Sequence, residues 1–183
     1  MRLKHLITVP FVSVLLASCG GELPPGSEPR STPTSTENTP PRLGLFALRA
    51  SNGNYISCTM TPDSAGHVGL YASRPTIGPN EVFTAWYSDD GRLGIKAPNG
   101  KFIAADRNNG GKLVADRDYV GEWESFALIQ AGDGLVSLKN TNGQFVCPHY
   151  ELPGARANQL SADKGEAFDW ERFTVVEDPA IGQ

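Results

Sequence analysis

The chain has 183 residues, of which 39% are hydrophobic and 20% charged, and its formal net charge at pH 7 is −4. This composition allows a globular core and excludes a mostly disordered chain, a coiled coil or a collagen, while the acidic balance argues against a nucleic-acid partner. Long helices are also excluded, because Gly and Pro interrupt the chain so often that the longest run free of both after residue 43 is Glu166–Asp178. The composition therefore predicts an all-β domain.

The first residues have the pattern of an export signal. Arg2 and Lys4 precede an apolar run at residues 6–16, which is too short to cross a bilayer as a helix. The tetrapeptide LASC follows at residues 16–19 and resembles the lipobox of bacterial lipoproteins. This resemblance implies a signal peptide at residues 1–18, cleavage before Cys19, lipid on the Cys19 thiol and acylation of the new amino terminus.

The resemblance also implies a location. Gly20, where an Asp would be the retention signal, resembles the outer-membrane sorting pattern of Gram-negative lipoproteins. We therefore expect an exported protein that is anchored by lipid to the bacterial cell envelope, at the outer membrane if the source is Gram-negative. An ordinary secreted protein with a free cysteine is the alternative interpretation.

Residues 19–42 are predicted to be a lipid-anchored linker. Of the 23 residues from 20 to 42, 16 are Pro, Ser, Thr or Gly, and Leu23 is the one large aliphatic residue. Such a segment cannot bury enough apolar surface to offset its ordering entropy. We expect it to hold the following domain clear of the membrane.

Residues 43–178 contain three copies of one pattern. Each copy has an aliphatic residue five positions before the Gly of an Asn-Gly pair, an aromatic two positions after that Gly, a Leu-x-Ala, and a Glu-x-Phe eleven positions after the Leu. The aliphatics are Leu48, Ile95 and Leu138; the aromatics are Tyr55, Phe102 and Phe145; the Leu-x-Ala leucines are Leu70, Leu113 and Leu160; the Glu-x-Phe residues are Glu81/Phe83, Glu124/Phe126 and Glu171/Phe173. Asn-Gly between apolar residues indicates a hairpin in which both turn residues have positive φ.

The repeat predicts a fold of twelve strands. Three units are too few for a propeller, so a closed threefold barrel with hairpin caps, the β-trefoil, fits best. The repeated aliphatic and aromatic residues are expected to fill its core.

The segments also carry a family resemblance. Fascin-type β-trefoil repeats are similar to FALRASNGNYIS, LGIKAPNGKFIA and VSLKNTNGQFVC, together with GEWESFAL and FDWERFTV. The resemblance covers residues 43–178 and leaves 179–183 as a C-terminal tail. Ricin-type lectin trefoils are less similar, because their Gln-x-Trp motif is absent. A trefoil hosts unrelated activities, so the resemblance predicts the fold and not the function.

Side chains that commonly carry chemistry have plainer interpretations here. Trp123 and Trp170 are expected in the core or at the barrel rim, and Trp86 in the core. The three repeated Glu residues cannot converge as glycosidase carboxylates around a threefold barrel, so we expect them to hydrogen-bond turns or strand ends. His67 and His149 are too few for a metal site, and we expect none.

The cysteines leave two alternatives open. Cys58 and Cys147 are the two remaining cysteines of the exported chain, and an oxidising compartment favours a disulfide between them. They stand one position out of threefold register, however, which is equally compatible with a buried free pair. If bonded, they are expected to meet across the cap formed by the second strands.

No catalytic motif, phosphate loop or dinucleotide fingerprint occurs, so we expect neither an enzyme nor a cofactor. The leading hypothesis is a monomeric surface-displayed binding module for carbohydrate or polysaccharide. The alternative is a protein-interaction module, either of the fascin type, which bundles actin, or a trefoil protease inhibitor.

The candidate ligand site is placed where the repeats differ. Between their second and third predicted strands, repeats 1 and 3 have a loop four residues longer than that of repeat 2. Functions are usually found where a chain departs from its own repeat in this way. The repeat 3 loop contributes Tyr150 as an aromatic face, with polar groups on His149, Glu151 and Arg156. The repeat 1 loop contributes Asp63 and His67.

Overall fold

The structure is a computed structural model, and it describes residues 44–181. Cys19, the predicted signal peptide and the predicted linker lie outside the described residues. The described part consists of twelve strands and three short 3₁₀ turns, and it holds no helix long and apolar enough to span a membrane. The strands are β1 Leu45–Arg49, β2 Tyr55–Cys58, β3 Leu70–Arg74, β4 Phe83–Tyr87, β5 Leu93–Lys96, β6 Phe102–Asp106, β7 Lys112–Arg117, β8 Ser125–Gln130, β9 Leu135–Asn140, β10 Phe145–His149, β11 Gln159–Lys164 and β12 Phe173–Glu177. The 3₁₀ turns are Pro79–Glu81, Arg107–Asn109 and Gly154–Arg156.

Six strands close a barrel and six form its cap. Antiparallel pairs join β1 to β4, β4 to β5, β5 to β8, β8 to β9, β9 to β12, and β12 back to β1. The hairpins β2–β3, β6–β7 and β10–β11 cover one end. Each repeat thus supplies two barrel strands and one hairpin, and the predicted β-trefoil is confirmed.

The repeated Leu-x-Ala motif ties the three hairpins together at the centre of the cap. The amide of each repeated Ala donates to a carbonyl of a neighbouring repeat: Ala72 to Asn158 at 2.9 Å, Ala115 to Val68 at 2.8 Å, and Ala162 to Gly111 at 2.8 Å. These three bonds follow one another around the threefold axis. Little room is left there, since a Cβ on Gly111, whose φ is 76°, would lie 2.4 Å from the carbonyl oxygen of Ala162.

The Asn-Gly turns differ from the expected form. Only the Gly has positive φ, at 81° for Gly53, because the loop is a four-residue turn closed by a bond from the Gly53 amide to the Ala50 carbonyl. Asn52 keeps ordinary φ and uses its side chain, whose oxygen accepts from the Asn54 amide while its nitrogen donates to the Ala72 carbonyl. The motif therefore encodes side-chain hydrogen bonds to the loop and to β3 as well as a turn.

The core contains the residues that the repeat predicts. Phe83, Phe126 and Phe173 are at most 1% exposed, and they lie in one cluster with the repeated aliphatics and leucines. The predicted register of the three repeats is therefore confirmed.

Two expectations about the core were wrong. The aromatics after the Asn-Gly pairs are half-buried, and a basic side chain lies over each ring, such as Lys139 at 4.9 Å from the centroid of Phe145. Trp86 is 47% exposed. The reason is strand alternation: Phe83 of β4 points inward, so Trp86, three residues later, points outward, as Ile129 does in the next repeat.

Candidate functional site

The long loop of repeat 1 is held against repeat 2. The carboxylate of Asp63 accepts from the Lys112 ammonium at 2.7 Å and from the amides of Ala65 and His67. The His67 ring reaches the Asp116 carboxylate at 2.8 Å. The hydrogen bond from Lys112 is the main reason why the pKa of Asp63 falls from 3.8 to about 2. The side chains of Asp63 and His67 therefore hold the loop of repeat 1 against repeat 2.

The long loop of repeat 3 borders an open cleft, which we call the repeat-3 cleft. Its volume is 610 Å³, within the usual range of small-molecule sites. Polar side chains from repeat 3 and repeat 2 line it: His149, Glu151, Arg156, Ser161 and Asp163 from the first, Asn108 and Lys112 from the second. Three of the six predicted ligand-binding residues, His149, Glu151 and Arg156, are thus brought together.

His149 is the centre of hydrogen bonding in this cleft. Its Nδ1 lies 3.3 Å from the Glu151 carboxylate, and its Nε2 contacts the Ser161 hydroxyl and lies 3.2 Å from the Asp163 carboxylate. Because the bonds from its own amide and from His149 stabilise the anion, the pKa of Glu151 is lowered. Oδ1 of Asp163 is buried without a hydrogen-bond partner among the described residues. The cleft therefore holds a fixed array of acceptors.

Arg156 supplies the free cation of the repeat-3 cleft. Its side chain is exposed, and it has no ion pair or hydrogen bond within residues 44–181. Lys112, the other cation in the lining, is already bonded to Asp63. A guanidinium with five donors is thus the group most available to a ligand here.

Tyr150 does not belong to the repeat-3 cleft, which corrects the predicted site. Its hydroxyl contacts the Ser51 hydroxyl at 3.0 Å, and its ring packs edge-on against Trp170 with centroids 5.2 Å apart. Tyr150 follows His149 directly, and successive residues at a strand end point to opposite sides. The aromatic ring and the polar groups of the loop therefore face different surroundings.

Trp123 has the equivalent packing in repeat 2. The Arg107 guanidinium lies over its ring at 5.8 Å and also donates to the Thr141 hydroxyl. Arg107 and Tyr150 occupy the same place after their Asn-Gly turns, so repeats 2 and 3 each have one side chain that packs against the Trp. Trp123 is half-buried and Trp170 is 44% exposed, which agrees with the predicted rim position.

Of the two alternatives for Cys58 and Cys147, the structure has the free thiols and not the disulfide. Both cysteines are buried free thiols, and two strands, β3 and β11, separate their own strands in the sheet. Cys58 points into the core cluster, whereas Cys147, one position earlier in the repeat, points to the other face toward Glu171. Desolvation raises the pKa of Cys58 to about 11 and is also the main cause of the raised pKa of Cys147.

The repeated Glu residues close turns, as the sequence predicts. Oε2 of Glu81, Glu124 and Glu171 accepts from the amide three residues earlier, at 2.7, 2.9 and 2.8 Å. All three are buried, and they lie in three different repeats. No group of three or more His, Cys, Asp or Glu side chains within residues 44–181 is arranged to hold a metal ion.

Comparison with known proteins identifies the fold and no family. No protein-family model matches the sequence, and no curated protein matches it. Similar solved structures include ThreeFoil, a designed threefold-symmetric protein, which is 17% identical with a TM-score of 0.59; the match covers 73% of this chain and 99% of that one. SeviL bound to the asialo-GM1 saccharide is 14% identical with a TM-score of 0.57, over 75% of this chain and 99% of SeviL.

A third similar structure belongs to an enzyme. It is a GlcNAcα1-4Gal-releasing endo-β-galactosidase from Clostridium perfringens, 13% identical with a TM-score of 0.59, and the match covers 75% of this chain and 33% of the enzyme. At identities this low, the likeness shows a shared β-trefoil fold.

Proposed function

We propose that this protein is a non-catalytic carbohydrate-binding module that a lipid on Cys19 holds at the bacterial cell envelope. The observation that carries the binding role is the repeat-3 cleft, which combines fixed acceptors on Glu151 and Asp163 with a free donor group on Arg156. Each sugar hydroxyl both donates and accepts, so a saccharide can use both kinds of group at once.

The proposal that the cleft is non-catalytic rests on the surroundings of His149. Ser161, His149 and Glu151 are in contact in the order that a nucleophilic triad uses. A catalytic imidazole needs Nε2 free to take the serine proton. Here the Asp163 carboxylate lies 3.2 Å from the same nitrogen and competes for it. The arrangement favours a fixed hydrogen-bond network over proton transfer.

Similar structures support the carbohydrate proposal as context. SeviL carries a saccharide in its structure, and the Clostridium perfringens protein acts on a glycan. The finer relation to fascins rests on the repeat sequences alone. A protein partner, of the fascin or inhibitor type, is the outcome that a glycan array without binding would favour.

The binding test is a glycan array probed with the full chain in detergent, followed by titration of the best glycan. Arg156→Gln and Glu151→Gln are expected to weaken binding about tenfold or more, since each removes a charged hydrogen-bond partner. Arg92→Gln is the matched control, because Arg92 pairs with Asp90 in the exposed turn before β5, away from the cleft lining. Equal affinity in all three variants would contradict the assignment of the cleft.

The anchoring test uses Cys19→Ala. The unchanged protein is expected to partition into detergent and to incorporate labelled palmitate. The variant is expected to accumulate as uncleaved precursor or soluble protein, because two or more acyl chains are needed for stable anchoring. Normal membrane retention of Cys19→Ala would contradict the proposal.

A further inference from the structure

The three repeats place equivalent depressions around the cap, and each is treated differently. In repeat 2 the loop of repeat 1 contacts the equivalent place, where the His67 ring lies 2.8 Å from the Asp116 carboxylate. In repeat 3 it is the open repeat-3 cleft. In repeat 1 it is a second opening of 470 Å³, the repeat-1 cleft. Thr59, Thr61, Tyr71 and Ser73 line it at the positions that His149, Glu151, Ser161 and Asp163 occupy in repeat 3.

The lining of the repeat-1 cleft has a small amide where the other two repeats have an indole. The residue before the repeated Glu is Trp123 in repeat 2 and Trp170 in repeat 3, but Asn80 in repeat 1. Asn80 lines the opening, together with Met60, which stands where Arg107 and Tyr150 cover those indoles. The small amide leaves uncovered the space that a ring occupies elsewhere in the repeat.

Among the described residues, the lining of the repeat-1 cleft carries positive charge and no carboxylate. Arg74 is its one ionic side chain, and within residues 44–181 this guanidinium has no ion pair or side-chain hydrogen bond. The side chains of Thr61, Ser73 and Asn80 likewise make no hydrogen bond within residues 44–181. In the repeat-3 cleft, by contrast, Glu151 and Asp163 would repel an anion. The two openings therefore differ in the charge that they accept.

We propose that the repeat-1 cleft is a second saccharide site and that it takes a carboxylate-bearing sugar, a uronate. Arg74 binds the carboxylate, since a guanidinium matches its two oxygens, and the hydroxyl and amide groups of Thr61, Ser73 and Asn80 bind the sugar hydroxyls. This inference rests on the proposed carbohydrate-binding function for the kind of ligand, but it uses a different site and a different charge preference.

The test compares uronate trimers with their neutral counterparts by calorimetry on the full chain in detergent. The probes are galacturonate, glucuronate and mannuronate trimers, set against galactose, glucose and mannose trimers. At least one uronate trimer is expected to bind more tightly than its neutral partner, with an affinity that falls as salt is raised. Arg74→Gln is expected to weaken that binding about tenfold or more.

Two further variants assign the site. Asn80→Trp restores the residue of the other repeats and is expected to block uronate binding by filling the cleft, while Arg156→Gln in the repeat-3 cleft leaves it unchanged. Failure of every uronate to bind, or binding that survives both Arg74→Gln and Asn80→Trp, overturns the inference. So does loss of uronate binding in Arg156→Gln. In each of these cases the proposed function would still stand if the protein bound a glycan on the array and Arg156→Gln weakened that binding.

Discussion

Removing the ring of Phe126 tests the threefold core directly. Phe126 is 1% exposed and belongs to the central cluster, so Phe126→Ala loses both the transfer free energy of the ring and the packing around it. The transfer part is up to about 3 kcal/mol. A residual cavity of roughly 60–80 Å³ adds about 1.5–2 kcal/mol at ~24 cal/mol per Å³. We therefore expect the free energy of unfolding to fall by about 4–5 kcal/mol.

The assay is urea unfolding followed by tryptophan fluorescence, with thermal melting as a second measurement. For a domain of about 140 residues, an unfolding entropy of ~2.1 cal/mol/K per residue converts the loss to a drop in Tm of roughly 15 °C. Phe168→Ala is the matched control, because the same ring is 65% exposed there and its removal should cost about 0.5 kcal/mol or less. A loss for Phe126→Ala as small as that of the control would refute the register of the repeats.

Three other results are expected. Gly111→Ala should lower the Tm by several degrees, because the new methyl meets a backbone carbonyl and Gly111 has positive φ; an unchanged melting curve would contradict the close approach at the threefold axis. Cys58 and Cys147 should both fail to react with a thiol reagent at pH 8 until urea is added, since burial raises both pKa values, and an intact disulfide in the native protein would overturn this. The folded pKa of Asp63 lies below its unfolded value, so the stabilisation that Asp63 gains from Lys112 is complete above pH about 4 and is lost toward pH 2. The difference in Tm between wild type and Asp63→Asn should therefore shrink as the pH falls through that range. A difference in Tm that stays constant with pH would contradict the contact.

The repeat by itself determined the fold and the core. Spacings that recur three times place Phe83, Phe126 and Phe173 at equivalent positions, and a closed barrel must fill these positions with apolar side chains. The role of the repeated Glu residues also followed from sequence, because equivalent residues of a threefold barrel cannot converge. These conclusions required only the spacing of the repeated residues along the chain.

Only the tertiary structure decided which side chains share a surface. Sequence proximity groups Tyr150 with His149, but strand alternation turns them to opposite sides, and the same alternation exposes Trp86 and separates Cys58 from Cys147. Asp63 and His67 were predicted to bind a ligand, yet their side chains contact Lys112 and Asp116 of the neighbouring repeat. The contacts of this loop join residues 49 positions apart, and no local pattern in the chain specifies which loop contacts which repeat. Charge and shape at the cap are therefore consequences of how the three hairpins meet.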